Sequence, residues 1–201
     1  GGKNWFHTSN LTPGQQNSKT SVYPVALNEI MYHHPDGERF EYLEIFNPSQ
    51  ELPIDISGWH FVGLSYKFPK GTIIHPEEYV VVCDDKVSAT QFYNIPLEKV
   101  FGDYSGGLRD KGELLILQDE NDIVVDLVRF DNKSPWPWTP NGLGASLERT
   151  CIKEGESDYS HWSGSPINSP SPGKENQIVG CVPAIRPKIQ ITEIHYHSSI
   201  Q

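Results

Sequence analysis

The hydrophobic positions of this chain fall into short runs in which apolar residues alternate with polar ones or follow one another directly. Runs of this kind, bounded by Gly, Pro, Asn and Asp, are typical of β-strands. A short helix is predicted over residues 87–93, where Asp84 or Asp85 can cap the first turn and no helix breaker intervenes. Eight strands are predicted, over residues 25–31, 40–46, 58–64, 66–68, 78–83, 113–117, 123–130 and 145–149.

Two pairs of these strands are predicted to form hairpins. The first two strands flank the turn signal at residues 34–37, and the strands at 113–117 and 123–130 flank a polar loop at 119–122. Short strands joined by frequent turns indicate an all-β fold, and we predict an immunoglobulin-like β-sandwich of two antiparallel sheets. The Cys–Trp–Cys spacing of antibody domains is missing, so such a sandwich must be held together by packing alone.

The composition supports a packed domain and argues against several classes of protein. Of the 201 residues, 36% are hydrophobic and 11% are aromatic, which is enough for a core. The net charge is −10, and residues 24–176 alone carry 12 basic and 25 acidic side chains. This charge argues against nucleic acid as a partner, since phosphate binding needs clustered Lys and Arg. No apolar run approaches the roughly 20 residues of a membrane span, and no signal peptide is visible.

The three cysteines cannot all pair within one chain. Cys83 ends an apolar run and is expected to be a buried free thiol. Cys151 and Cys181 could form a disulfide, although the sequence alone cannot establish it. No Cys or His spacing typical of a zinc site is present.

Both ends of the chain repeat sequences from its middle. Residues 4–17 resemble residues 161–176, because each stretch has a Trp, a run rich in Ser, Thr and Pro, and then Pro-Gly-x-x-Asn. Residues 191–197 likewise resemble residues 27–33. Both matches are offset by about 160 residues, as expected for a window cut from a tandem array. The predicted parts are the end of a preceding repeat and a linker at 1–23, one whole domain at 24–176, and a linker with the first strand of a following repeat at 177–201.

The middle of the chain resembles the lamin tail domain in its bacterial and extracellular form. The resemblance covers about residues 24–176 and rests on pieces that occur in the family's order. The main pieces are Leu-Asn-Glu-Ile-Met-Tyr at 27–32, Glu-Tyr-Leu-Glu-Ile-Phe-Asn at 41–47, Ile-Asp-Ile-Ser-Gly-Trp at 54–59, Phe-Pro-Lys-Gly-Thr at 68–72, Gly-x-Gly-x-Ser-Leu-Glu-Arg at 142–149, and Trp162 with Pro-Gly at 172–173. The resemblance implies an immunoglobulin-like β-sandwich without shared catalytic chemistry. It also implies an accessory module of secreted or cell-surface proteins, repeated or attached to enzymes.

We expect the distinctive residues of these pieces to be structural. Asp55 can bond nearby amides, Gly58 can supply a positive φ, and Trp59 can fill the core. Trp136 and Trp138 are expected to cover one end of the sandwich, although an aromatic pair could instead stack on a sugar ring. The structural set comprises Asn28, Glu29, Glu41, Glu44, Asp55, Gly58, Trp59, Trp136, Glu148, Arg149 and Trp162.

The glutamates of the first two strands lie among apolar residues. On a period of two, Glu29 is expected to share a face with Leu27 and Met31. Glu44 is likewise expected to share a face with Tyr42 and Phe46. A carboxylate on a core-side face needs a partner. The candidate partners are backbone amides, Arg129 or Arg149, and a calcium ion.

Metal sites are a minor expectation. Asp119, Glu120 and Asp122 offer oxygen ligands in one hairpin loop but lack the spacing of a twelve-residue calcium loop. His195 and His197 could share a metal ion, because alternate residues of a strand point the same way. Calcium is therefore retained only as a possible ligand, and no cofactor is expected.

The function predicted from the sequence is non-catalytic. Neither the nucleophile elbow of hydrolases nor a phosphate-binding loop is present. We predict a structural or interaction module of a secreted or cell-surface multidomain protein, in which a separate domain could be catalytic. Its partners would be an unidentified protein or surface ligand and the neighbouring repeats. The alternatives are a calcium- or glycan-binding module that assists an attached enzyme and, on scattered carboxylates and histidines alone, a hydrolase.

Overall fold

The computed structural model describes residues 23–152, 158–178 and 180. Residues 4–17 and 191–197, which carry the repeats at the two ends, lie outside this part of the chain. The tandem array and the division into three parts therefore stay predictions.

Short strands dominate the described residues. Single turns of 3-10 helix lie at Glu38–Phe40, Leu97–Lys99 and Tyr159–His161, and one α-helix, α1, spans Lys86–Tyr93. The strands are β1 Ala26–Met31, β2 Tyr42–Phe46, β3 Ile54–Asp55, β4 His60–Val62, β5 Ile73–Ile74, β6 Tyr79–Cys83, β7 Val100–Phe101, β8 Leu114–Gln118, β9 Val124–Arg129, β10 Leu147–Arg149 and β11 Trp162–Gly164.

Two main sheets enclose the core. The larger has the strand order β11-β10-β1-β2-β6-β7, and the smaller has the order β4-β8-β9. Leu27 and Ile45 of the larger sheet pack in one cluster with Leu115 and Leu117 of the smaller sheet. The predicted all-β sandwich is confirmed. It differs in detail from two antiparallel sheets, because β3 and β5 form a small third sheet and β6 pairs with β7 in parallel.

The larger sheet is covered on both faces. A second cluster, which includes Met31, Val81 and Ala89, lies between its outer face and α1. Burial on both faces explains why β6 is a continuous apolar run, whereas in β8 buried and half-buried residues alternate. Helix α1 begins after Asp85, whose carboxylate accepts a hydrogen bond from the Ser88 amide at 3.0 Å.

Several predicted boundaries were wrong. Residues 66–68 form no strand, and only Lys67 makes an isolated bridge to His60. The strand predicted at 58–64 shortens to β4, because Gly63 has φ +107 and turns the chain. Strands of two or three residues such as β3, β7 and β11 were not predicted, since so short a segment shows no periodicity.

A bulge in β1 changes part of the predicted face of Glu29, which lies on the side of Met31, as predicted, but not on the side of Leu27. The pairing of β1 with β2 shifts by one residue between Leu27 and Glu29. The inserted residue, Asn28, breaks the period of two. Leu27 and Ile30 therefore lie in the main core, while Glu29 faces outward with Met31.

Two cysteines lie within the described residues. Cys83 is a buried free thiol, as predicted. Cys151 is disulfide-bonded, and Cys181, with which it could pair, lies outside the described residues.

Candidate functional site

Three glutamates form a row across adjacent strands on the outer face of the larger sheet. Glu29 of β1 lies opposite Glu44 of β2 on one side and opposite Glu148 of β10 on the other. All three are fully buried, with 0% of their surface exposed. Residues 165–178, which we call the closing segment, run over this row and exclude water from it. We call the three side chains the glutamate row.

Glu29, at the centre of the row, accepts more hydrogen bonds than either of the other two glutamates. Its Oε1 accepts from the Tyr42 hydroxyl at 2.6 Å, from the Ser146 hydroxyl at 2.5 Å and from the Ser171 amide at 3.0 Å. The Ser171 hydroxyl lies 3.5 Å from its Oε2. Strand, loop and closing segment are therefore joined at one carboxyl group.

The closing segment supplies donors to the other two glutamates. The Gly173 amide donates to Oε2 of Glu44 at 2.5 Å. The Ser171 hydroxyl donates to Oε1 of Glu148 at 2.8 Å, and the Gln177 amide donates to its Oε2 at 3.1 Å. These bonds replace the water that each carboxyl group loses on burial.

An asparagine pair anchors the end of the closing segment. The Asn28 amide donates to Oε1 of Glu44 at 2.8 Å and to Oδ1 of Asn176 at 2.9 Å. Asn176 in turn donates to the Arg149 carbonyl at 2.8 Å. The bulge at Asn28 has a structural consequence, because it turns this side chain toward the closing segment.

Burial changes the ionisation of the row. The pKa of Glu29 is raised from 4.5 to about 7, because loss of water and, to a smaller extent, the Glu148 charge outweigh the opposing effect of its hydrogen bonds. Burial and then the Glu29 charge raise the pKa of Glu44 well above its usual value. The pKa of Glu148 is also raised, again chiefly by burial. Burial therefore suppresses the ionisation of each carboxyl group in the row relative to a solvated glutamate.

Arg149 does not neutralise the glutamate row. Its Nη1 lies 2.5 Å from Oδ2 of Asp126 on β9 and 3.1 Å from the Leu27 carbonyl, toward the inner face. Burial raises the pKa of Asp126, while Arg149 opposes that shift. Asp126 also accepts from the Leu27 amide at 2.8 Å, so this ion pair links the two main sheets. The guanidinium carbon lies 5.8 Å from the ring centre of the buried Trp162.

Glu41 lies apart from the row. It is buried, with its Oε2 accepting from the Leu108 amide at 3.3 Å. Burial raises its pKa to about 8, and Glu38 and Asp110 add to the shift.

The remaining predicted residues lie in turns and at the edges of the core. Asp55 accepts from the Ser57 amide at 2.9 Å, and Gly58 has φ +77 in the same turn. Trp59 is buried in the main core and Trp136 packs partly against it, whereas Trp138 is 68% exposed.

The acidic hairpin loop is organised by one carboxylate. Oδ1 of Asp119 accepts from the amides of Asn121 and Ile123, both at 2.9 Å. Glu120 is exposed, and Asp122 lies 3.3 Å from the His60 ring. Within residues 23–152 and 158–178, no group of three or more His, Cys, Asp or Glu side chains is arranged to hold a metal ion. His195 and His197 lie outside these residues, so the metal site predicted there stays a prediction. Bound calcium stays a prediction as well.

Sequence reasoning missed several residues that complete the site. Asp126 is a charged residue within the apolar run of β9, and that contrast could have identified it. Ser171 and Asn176 belong to the repeated Ser/Thr-Pro-Gly-x-x-Asn sequence, but nothing in that sequence shows that it covers glutamates. Ser146 and Tyr42 carried no signal beyond their position beside the row.

Comparison with known families identifies the domain. The sequence model of the Lamin Tail Domain matches residues 18–132, more than half of the chain. The chain therefore belongs to the lamin tail domain family, whose members have a non-enzymatic immunoglobulin-like fold. The comparison with curated proteins gave no match. Strands β10 and β11 follow the matched residues and nevertheless pair into the same sheet as β1.

Proposed function

We propose that this domain is a non-catalytic structural and interaction module of a secreted or cell-surface multidomain protein. The observation that carries the proposal is that the distinctive polar residues of the family pieces are buried and bonded to one another. Glu29, Glu44 and Glu148 contact the closing segment, and Arg149 contacts Asp126. These groups stabilise the fold, and the solvent-exposed residues of the domain remain available to contact a partner.

The disulfide at Cys151 supports an extracellular location. Disulfides persist in oxidising compartments and are rare in the cytosol. Among the described residues, no helix is long and apolar enough to span a membrane.

Exposed apolar side chains near α1 support a protein contact there. Val87 on α1 is 65% exposed, and Leu97 in the following 3-10 helix is 58% exposed. The test is binding of the labelled domain to intact source cells, for the natural domain and for the double variant Val87→Ser and Leu97→Ser. The proposal predicts weaker binding by the double variant at an unchanged melting temperature. Equal binding by both would argue against this surface.

A glycan-binding function is the second candidate, because Trp138 is 68% exposed beside the half-buried Trp136. Exposed aromatic rings are suited to stacking on apolar sugar faces. A glycan array probed with the natural domain and with Trp138→Ala tests this function. Glycan binding that is lost in the variant would favour a glycan-binding module over a protein-interaction module. Calorimetry with calcium, followed by addition of a chelator, tests for a calcium site in the hairpin loop. If calcium gives no heat of binding and no change in melting temperature, the loop holds no calcium site. A hydrolase screen with measurable turnover that Glu29→Gln abolishes would contradict the non-catalytic proposal.

A further inference from the structure

A cleft opens between the end of α1 and the closing segment. One wall is formed by residues 92–96 and Lys99, and the other wall is formed by residues 168–170 and 172–174 of the closing segment. The volume of the cleft is about 590 Å³, which is within the usual range for a ligand site. A ligand held here would therefore contact both the body of the domain and the closing segment.

The two walls meet at an apolar contact. Ile95 is 4% exposed, and a Cβ on Gly173 would lie 3.0 Å from Cγ2 of Ile95. Phe92 lines the same cleft with 51% of its surface exposed. Pro170 and Pro172 add ring surface that carries no amide donor. The cleft therefore offers apolar surface to a ligand.

The charged side chains that line the cleft are both lysines. Lys99 is half-buried in one wall, and Lys174 is exposed on the other. Within the described part of the chain, neither lysine is paired with a carboxylate, and the adjacent Glu98 and Glu175 do not line the cleft. Because residues 24–176 carry 12 basic and 25 acidic side chains, the cleft is a positively charged exception in an acidic domain.

We propose that this cleft binds a short, extended segment of a partner protein in which apolar residues are flanked by carboxylates. The apolar side chains of the segment lie on Ile95 and Phe92, and its carboxylates contact the lysines of the two walls. A basic segment would be repelled by both lysines. An anionic sugar would satisfy the lysines but has no side chain to fill the apolar part of the cleft. The inference rests on the proposed interaction function and adds the chemistry of the partner.

Occupation of the cleft should also stabilise the closing segment. Gly173 lines the cleft, and its amide donates to Oε2 of Glu44. A segment that contacts both walls holds Gly173 against the body of the domain and favours this hydrogen bond. Since a ligand that binds only the folded state raises the melting temperature, the bound segment should do so here.

The test measures binding of acidic peptides to the 201-residue chain by two-dimensional NMR, with melting temperatures followed by circular dichroism. The probes are the acetylated and amidated peptides Glu-Leu-Pro-Glu, Glu-Leu-Pro-Leu-Glu and Glu-Leu-Pro-Leu-Pro-Glu, which differ in the distance between their carboxylates. Each has a counterpart with Gln in place of Glu, which keeps the shape and removes the charge. An oligogalacturonate is the third ligand, because it carries carboxylates without apolar side chains.

The proposal predicts that at least one acidic peptide shifts the amide signals of residues 92–99 and 168–174 and raises the melting temperature. Lys99→Gln with Lys174→Gln should weaken its binding about three- to tenfold. Lys70→Gln with Lys111→Gln is the matched control, because it removes the same charge from exposed lysines outside the cleft and should leave binding unchanged.

Four results would overturn the proposal. They are no binding by any acidic peptide, equal binding by the acidic peptides and their Gln counterparts, equal binding by the two double variants, and binding of the oligogalacturonate alone. The proposed interaction function is tested separately. If Val87→Ser with Leu97→Ser weakens binding to cells while no acidic peptide binds the cleft, the interaction function stands and the acidic segment is rejected.

Discussion

The replacement of Glu29 by Gln should change how the free energy of unfolding depends on pH. The pKa of Glu29 is raised from 4.5 to about 7 in the folded domain, so between these values the folded state binds more protons than the unfolded state. The stabilisation by the protonated group is complete below pH 4.5 and is lost as the pH rises through about 7. At about 1.4 kcal/mol per pKa unit, the loss amounts to about 3 kcal/mol.

The glutamine variant lacks this titration and keeps the shape and oxygen acceptor of the side chain. Removing the Glu29 charge also lowers the pKa of Glu44, because that charge contributes to its shift, and this effect has the same sign. The free energy of unfolding of the natural domain minus that of Glu29→Gln should therefore fall by about 3 kcal/mol or more between about pH 4 and pH 8.5.

Urea unfolding of both proteins at a series of pH values measures this difference, and the titration of unrelated groups cancels in it. Glu175→Gln is the matched control, since Glu175 is an exposed carboxylate in the closing segment, and its difference should stay flat. A difference for Glu29→Gln that is constant with pH would refute the reasoning, because it would mean that burial does not suppress ionisation of the row.

Three further predictions concern the framework of the domain. Arg149→Met should lower the free energy of unfolding by about 3–5 kcal/mol, because it leaves the buried Asp126 without its partner, and Asp126→Leu in the same chain should recover part of that loss in urea unfolding. Asp85→Ala should lower the free energy of unfolding by about 1 kcal/mol, because it removes the N-terminal cap of α1. Lys86→Ala is the neighbouring control, and equal urea midpoints for the two variants would contradict the prediction. Burial raises the pKa of Cys83 to about 12, so a thiol reagent at pH 8 should not react with the folded protein. The reagent should detect one thiol after unfolding and three after unfolding and reduction. A count of three in the unfolded protein before reduction would contradict the disulfide.

The strands that the sequence predicted best are those with one regular periodic signal. In β8 the buried positions alternate with half-buried ones, and the loop before β9 is polar, so that hairpin is visible in the sequence. The continuous apolar run of β6 is visible because both of its faces are covered. Strands such as β3 and β7 exist through tertiary pairing, and their two residues carry no pattern of their own.

The three glutamates of the candidate site could be predicted individually, but their arrangement and most of the residues that bond to them could not. Glu29 and Glu44 stand out as charges within apolar strands, and their need for partners followed from burial alone. Their union with Glu148 depends on the pairing of β10 with β1, which lies more than a hundred residues away in sequence. The outward face of Glu29 depends on the bulge at Asn28, which no periodicity reveals.

The most direct test of the central claim is a carboxyl-carbon NMR titration of Glu29, Glu44 and Glu148, with each signal assigned by its Glu→Gln variant. If the three side chains are buried in one row beneath the closing segment, the signal of Glu29 should change near pH 7, and those of Glu44 and Glu148 should change above the usual range for glutamate. Three signals that all change near pH 4.5 would show solvated carboxylates and would contradict the account.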